Sequence, residues 1–287
     1  MRLRHPILAW GFVAPAAIGV VAFILLPVLV SFALSLTNWQ LVGSRDFVGL
    51  ENYRVLLEGP ALRNSLVVTV LFTLLSVPVS IALGLLLALQ ITKAFPGSSF
   101  FRVIIVIPWV CAPLAVGVMF SWIFQPSVGA LNALLGVRIE WLTSHTLALP
   151  SVAFVAVWQA AGYIALFYQA GLQKIPASIN EAAALDGAGP VRRLFSITLP
   201  LLRPTTFFVA LTQMVASFQV FDTVYALTGG GPGRRTEVIA SLLYNEAFVA
   251  GRLGRAGAIA VILFAVLAVL AVIQQRYFSS RITYDMS

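Results

Sequence analysis

Residues 176–200 read PASINEAAALDGAGPVRRLFSITLP, a polar, charge-bearing interruption between two strongly apolar segments. A chain that only had to cross a bilayer would not require it. Pro176 interrupts whatever helix precedes it. Ser178-Ile179-Asn180-Glu181 fits a capping box, in which the Ser178 hydroxyl accepts from the third helical N–H and Glu181 reaches back to the cap N–H. Ala182, Ala183, Ala184 and Leu185 are good helix formers. Gly187 is placed to end the helix in left-handed backbone, and Pro190 suits the first turn of a second helix. That second helix is expected to turn Val191, Leu194, Phe195 and Ile197 towards the protein, and Arg192 and Arg193 towards solvent or lipid head groups. Ala182, Ala183, Gly187, Ala188 and Gly189 form a small-residue face that permits close approach of another surface, with Glu181 and Asp186 at its edge. On local chemistry alone, the stretch fits an ordinary interhelical loop equally well.

The rest of the chain says what this interruption is set in. Of 287 residues, 60% are hydrophobic and only 10% charged, against about 25% charged in a soluble domain. So few charges cannot cover a water-exposed surface of this size. Several runs exceed the roughly 20 apolar residues that cross a bilayer. The reading is an all-α polytopic membrane protein, one transmembrane domain over residues 1–287 with six helices. They are expected at about 8–36, 65–91, 102–124, 150–172, 204–227 and 256–275. The N-terminal apolar run is longer than a signal-peptide core, so it reads as a retained first span. Residues 37–64 read as an ordered external loop with a short interfacial helix.

The net charge of +8 sits mostly between apolar runs, where it sets topology; no nucleic-acid partner is implied. With the N-terminus inside, the inner segments hold Arg2, Arg4, Lys93, Arg102, Lys174, Arg192, Arg193, Arg203, Arg276 and Arg281, ten cations against eight outside. The basic N-terminus and the short link at Lys93 decide the orientation, because short loops and the first helix weigh most. Both termini and residues 176–200 are then cytoplasmic. Cys111 is the single cysteine, and His5 and His145 are far apart, so no metal site is expected.

Glu181-Ala182-Ala183, then Asp186-Gly187-Ala188, with Ile197-Thr198-Leu199-Pro200 downstream, resembles the EAA motif of binding-protein-dependent ABC importer permeases. Gly171 to Pro176, Phe221-Asp222-Thr223-Val224-Tyr225, Leu227 to Pro232 and Phe47 to Tyr53 resemble the carbohydrate-uptake, maltose-type branch. The similarity covers nearly the whole chain. It implies the type I importer permease fold, with a cytoplasmic coupling helix between the fourth and fifth spans. By the resemblance, Glu181, Ala182, Ala183, Asp186, Gly187 and Ala188 contact an ATPase subunit. It further implies a second, homologous permease subunit, two ATP-binding subunits that hold ATP and Mg, and an extracellular or periplasmic solute-binding protein. The location implied is the bacterial cytoplasmic membrane, in contact with its lipid. The glycine-rich loop 228–233, read as a flexible external turn, would face the binding protein. The only lysines are Lys93 and Lys174 and neither sits in a Walker A pattern. The chain is therefore expected to be a transport subunit that carries no cofactor and does not hydrolyse ATP.

Polar groups inside spans are costly and mark candidate pathways. In the fifth span these are Gln213, Ser217, Gln219 and Asp222. Gln213 and Ser217 share a helix face, whereas Gln219 and Asp222 fall on another, so an unbroken helix cannot line one strip with all four. Asp222 fits an interfacial structural carboxylate as well. The fourth span offers Trp158, Gln159 and Tyr163, with Gly162 opening space beside them; aromatic faces with a few hydrogen-bonding groups suit a sugar. Ordinary packing or an aromatic belt explains each of these residues too, and the same holds for Trp109 and Trp122. With no cation inside a span, the solute reads as a neutral sugar or related compound. A glycerol phosphate or polyol is the alternative, and a stand-alone secondary transporter ranks below both. An intramembrane enzyme ranks last, for want of a paired nucleophile and base.

Overall fold

The computed structural model describes residues 6–40, 43, 45–92 and 97–279. It is helical almost throughout, apart from one isolated bridge between Thr37 and Phe47. Arg2, Arg4, His5, Lys93 and Arg281, which bear on the orientation and metal readings, lie outside the described residues. Among the described residues, four helices are individually long and apolar enough to cross a membrane: Gly11–Ser35, Pro60–Ile91, Ala148–Gln173 and Leu253–Tyr277. Two bent helix pairs bring the number of candidate spans to six.

The chain divides into two units. The first comprises residues 1–63 and 242–266. Its opening span is α1 (Pro6–Val20), a π-helical turn (Val21–Leu25) and α2 (Leu26–Ser35). The loop that follows is ordered by buried polar contacts. Asn52, on the short α3 (Glu51–Glu58), donates from Nδ2 to the carbonyls of Ser35 and Thr37, both at 2.9 Å. The Tyr53 hydroxyl donates to Ser35 Oγ at 2.7 Å. The two Asn52 bonds satisfy carbonyls left over at the end of α2, which would otherwise be orphaned.

The second unit comprises residues 64–241 and 267–287. Its long helix α4 (Pro60–Ile91, its first residues in the other unit) carries Ser65, Thr69, Thr73, Ser76 and Ser80 as a buried hydroxyl stripe. The spacing of three and four residues keeps them on one face. The next expected span, about 102–124, is not one helix. It is α5 (Ser98–Val110) and α6 (Pro113–Ile123), bent by 94°. Pro113 forces the residue before it out of helical backbone. Ala112 has ψ 125° and Cys111 ψ 141°, so the chain is extended at the break.

Helix α7 (Ala130–Leu135) lies in the loop before α8 (Ala148–Gln173), the central buried helix of this unit. Core side chains from α4, α6 and α8 meet around Phe72, Phe120, Val152 and Val155. Gly162 on α8 lies against α5 so closely that a Cβ there would overlap the Ile105 carbonyl.

After α8 come α9 (Ala177–Leu185), then a continuous helix of α10 (Pro190–Arg193), a π-helical turn (Leu194–Thr198) and α11 (Leu199–Leu201). This helix bends by 70° into α12 (Arg203–Phe218). The expected span at about 204–227 is interrupted as well: α12 stops at Gln219 and α13 (Asp222–Leu227) restarts at Asp222. No proline or glycine marks that break. α14 (Ile239–Tyr244) with the π-helical turn Asn245–Val249 adds a helix where the sequence suggested only loop. α15 (Leu253–Ser279) ends the described chain.

Loop 228–238 is not a flexible turn. Asn64 Nδ2 donates to the Arg234 carbonyl at 3.0 Å, and the Ile239 N–H donates to Thr69 Oγ1 at 2.9 Å, fixing the loop to the start of α4. Thr236 is buried, pairs with Thr228 through their hydroxyls at 2.7 Å and donates to the Gly231 carbonyl. The glycine-rich loop is thus held by the local Thr228 and Thr236 and tied down by Asn64 and Thr69 from a distant part of the sequence.

Candidate functional site

Two regions carry features beyond packing, a polar cavity between helices and the exposed connector α9–α10. The cavity, about 390 Å³, lies among α4, α5, α6, α8, α12 and α13. Gln213, Ser217, Gln219 and Asp222 all line it. The objection that four such positions cannot share one strip rests on an unbroken helix, and here α12 stops at Gln219 and α13 restarts at Asp222, which re-aims Asp222. Ser217 is buried and its hydroxyl meets that of Thr73 at 2.9 Å while also donating to the Met214 carbonyl at 2.8 Å. It therefore ties α12 to α4 besides facing the cavity.

Of the fourth-span candidates, only Gln159 lines the cavity. Its Nε2 donates at 3.1 Å to the carbonyl of Cys111, a group released by the break between α5 and α6. Trp158, the next residue along α8, points elsewhere and packs edge-on against Phe120 at 5.2 Å. Tyr163 is not at the cavity wall either. It stacks on Trp109 at 4.4 Å with 12° between the rings, and Trp109 is the residue that lines the cavity. Tyr163 thus acts through Trp109. Phe72 and Phe221 add two further aromatic faces.

Three polar wall residues were not singled out in the sequence. Ser76 donates back to the Phe72 carbonyl at 2.7 Å. Ser80, 2% exposed, and Thr223, 5% exposed, add two further hydroxyl side chains to the wall. The i, i+4 spacing of Ser76 and Ser80 within the hydroxyl stripe was the available signal, and serine in an apolar span is a weak one. Among the described residues, Asp222 is the one charged residue in the wall, and no lysine or arginine lines it.

The connector departs from its expected chemistry at its start. Pro176 occupies the cap position, α9 begins at Ala177, and no side chain caps it. Ser178 is therefore already inside the helix, and the box with Glu181 does not form. The Pro176 backbone, at ψ 135°, takes the non-helical cap geometry two residues too early for Ser178 to use. The end is as expected. Gly187 has φ +73°, Ala188 N–H donates to the Ala183 carbonyl at 2.9 Å and Gly187 N–H to the Ala184 carbonyl at 3.1 Å, which is a Schellman motif.

Of the six residues assigned to a docking surface, Glu181, Ala182, Asp186 and Gly187 are exposed, Ala188 is half-buried and Ala183 is buried within the chain. Leu185, between them, is 90% exposed. In the second connector helix, Leu194 and Ile197 are half-buried, but Val191 and Phe195 are exposed rather than turned inward, and Arg193 is half-buried. The π-helical turn from Leu194 widens the helix and shifts the register that a regular 3.6-residue repeat would give.

A family model described as "Binding-protein-dependent transport system inner membrane component" matches residues 80–284. The chain is 37% identical to the sn-glycerol-3-phosphate transport system permease protein UgpA of Agrobacterium fabrum, over 98% of this chain and 97% of that protein. It is 34% identical to the probable ABC transporter permease protein YurN of Bacillus subtilis, over 96% and 98%. It is 36% identical to the sulfoquinovosyl glycerol transport system permease protein SmoG of Agrobacterium fabrum, over 85% and 81%. Among solved structures, a chain of a bacterial ABC transporter involved in the import of the acidic polysaccharide alginate superposes with a TM-score of 0.82. That match covers 96% of each chain at 22% identity, so it bears on the fold.

Proposed function

The chain belongs to the family of binding-protein-dependent transport system inner membrane components, and from that premise we propose how it works and what it carries. It is a multi-pass permease subunit of an ABC importer. In the proposed reading it forms half of the translocation pathway, with a second, homologous permease forming the other half. Two separate ATP-binding subunits hydrolyse ATP, and a solute-binding protein delivers the cargo from outside. Both termini and the connector face the cytoplasm of a bacterial cell.

The carrying observation for the solute is the cavity wall. Gln159, Gln213 and Gln219 offer amides, Ser80 and Thr223 offer hydroxyls, and Trp109, Phe72 and Phe221 offer aromatic rings. Amides and hydroxyls suit the edges of a polyhydroxylated molecule, and aromatic faces suit its C–H surfaces. With Asp222 as the only charge, a neutral sugar or polyol is favoured over an anion. The second reading, a phosphorylated or sulfonated glycerol derivative, is favoured by the names of the relatives. It requires the cations to come from the second permease.

The deciding experiment uses the complete transporter in nanodiscs with its solute-binding protein. ATPase stimulation is measured for neutral mono- and disaccharides, polyols and sn-glycerol 3-phosphate. Stimulation by a neutral sugar supports the proposal. Stimulation by the phosphate ester alone overturns it in favour of the second reading.

For coupling, the supporting observation is that Glu181, Ala182, Asp186 and Gly187 surround the exposed Leu185 at the tip of α9. A short helix with a small-residue face and one protruding leucine is shaped to enter a cleft. Loss of the ATPase subunits on purification of a Gly187→Val variant supports this docking role; undiminished co-purification overturns it.

A further inference from the structure

The second connector helix, Pro190–Leu201, has an exposed face that neither the pathway nor ATPase docking uses. Val191 is 68% exposed and Phe195 is 64% exposed; four residues apart, they are neighbours on the surface. Arg192 and Ser196, also exposed, lie beside them, one step round the helix. The uncovered half of this helix is therefore split lengthwise into an apolar edge and a polar, cationic edge. The opposite side, with Leu194 and Ile197, is half-buried in the protein. The helix meets α12 at 70°. With α12 taken as the membrane-crossing part of this bent pair, a helix at that angle to it runs close to the plane of the bilayer surface.

We propose that Pro190–Leu201 is a membrane-surface anchor that seats Val191 and Phe195 in the acyl boundary and sets Arg192 against anionic lipid head groups. A helix lying in the interface needs an apolar side that enters the lipid and cationic groups at head-group level, and these residues supply both. Exposure to water would leave a phenylalanine and a valine uncompensated. The anchor gives α9, which hangs from the same connector through the Gly187 turn, a fixed point at the membrane. The inference is independent of which solute is carried and of whether α9 docks an ATPase.

The test places a nitroxide on Phe195→Cys, and separately on Val191→Cys, in a Cys111→Ala background of the complete transporter. The nanodiscs contain phosphatidylcholine with phosphatidylglycerol. Relaxation by oxygen, which partitions into lipid, is compared with relaxation by a water-soluble nickel chelate. The expected result is that oxygen dominates at both sites, with and without the ATPase subunits, while the chelate dominates at Leu185→Cys once those subunits are stripped. Dominance of the chelate at 195 and 191 places the helix in water and overturns the proposal. Exclusion of both reagents, or protection only when ATPase subunits are present, assigns the face to a protein partner and also overturns it. In phosphatidylcholine alone, the oxygen-to-chelate ratio is expected to fall about twofold or more, and Arg192→Gln is expected to remove that dependence. A ratio indifferent to head-group charge overturns the role given to Arg192.

Discussion

Gln159 on α8 donates to the Cys111 carbonyl at 3.1 Å, across the 94° break between α5 and α6. A carbonyl released inside a membrane protein has no water to turn to, and this one is satisfied by a side chain 48 residues away. One glutamine therefore serves both a broken helix and the cavity wall. Replacing it with leucine is expected to cost about 1–2 kcal/mol, read as a lowered unfolding temperature of the purified transporter. A Gln159→Leu variant that loses transport but unfolds at the wild-type temperature would make Gln159 a solute ligand alone.

Gly162 is required by the approach of α8 to α5. A methyl group there overlaps the Ile105 backbone, and backbone yields less readily than a side chain. Gly162→Ala is expected to destabilise by about 1–3 kcal/mol or more, seen as reduced yield and early aggregation on size-exclusion chromatography. Because Trp109 sits on α5, the same variant should disturb its stacking on Tyr163, which near-ultraviolet circular dichroism reports.

Asp222 is the only charge in the cavity wall among the described residues. If it disfavours anionic solutes, Asp222→Asn should raise ATPase stimulation by an anionic analogue relative to a neutral sugar by about tenfold. That change corresponds to roughly 1.4 kcal/mol, a modest Coulomb term for partly hydrated charges. An unchanged ratio would remove Asp222 from solute selection.

Thr73 and Ser217 join α4 to α12 through their hydroxyls at 2.9 Å. Thr73→Val keeps the shape and deletes the bond. A loss of about 0.6 kcal/mol is expected, the usual size for such bonds between membrane helices, and denaturant titration in detergent measures it. Ser217→Ala in the Thr73→Val background should then add little, since the shared bond is already gone.

Gly187 sits at φ +73° with open space around it. Gly187→Ala therefore meets no clash and pays only for left-handed backbone, about 1–2 kcal/mol locally. The expected outcome is a permease that folds and inserts normally but binds its ATPase subunits more weakly in co-purification. The distinction between Gly162 and Gly187 is one of contact against conformation, and the two variants should fail by different measurements.

The places where the sequence was legible share a physical character. Helical spans are legible because apolar runs of bilayer length have few alternatives. The stop at Gly187 and the start at Pro190 are legible because they depend on the conformational limits of single residues. The break at Cys111–Ala112 was within reach, since Pro113 restricts the residue before it, although proline is common enough in membrane helices that it did not decide the matter. The break at Gln219–Phe221 has no local mark. The capping box at Ser178 misled, because Pro176 set the cap two residues earlier.

Composition and single-residue stereochemistry determined, without any coordinates, that this chain crosses a membrane repeatedly and carries a glycine-stopped connector between two of its spans. Tertiary structure alone decided which polar side chains share one cavity. Asp222 and Thr223 reach the wall that Gln159, Gln213 and Ser80 line from other helical segments because the fifth span breaks before them, and a break changes the direction of every side chain beyond it. Periodicity describes a helix only while the helix continues. The order in loop 228–238 likewise comes from Asn64 and Thr69, some 170 residues away, and no local pattern can encode a partner at that distance.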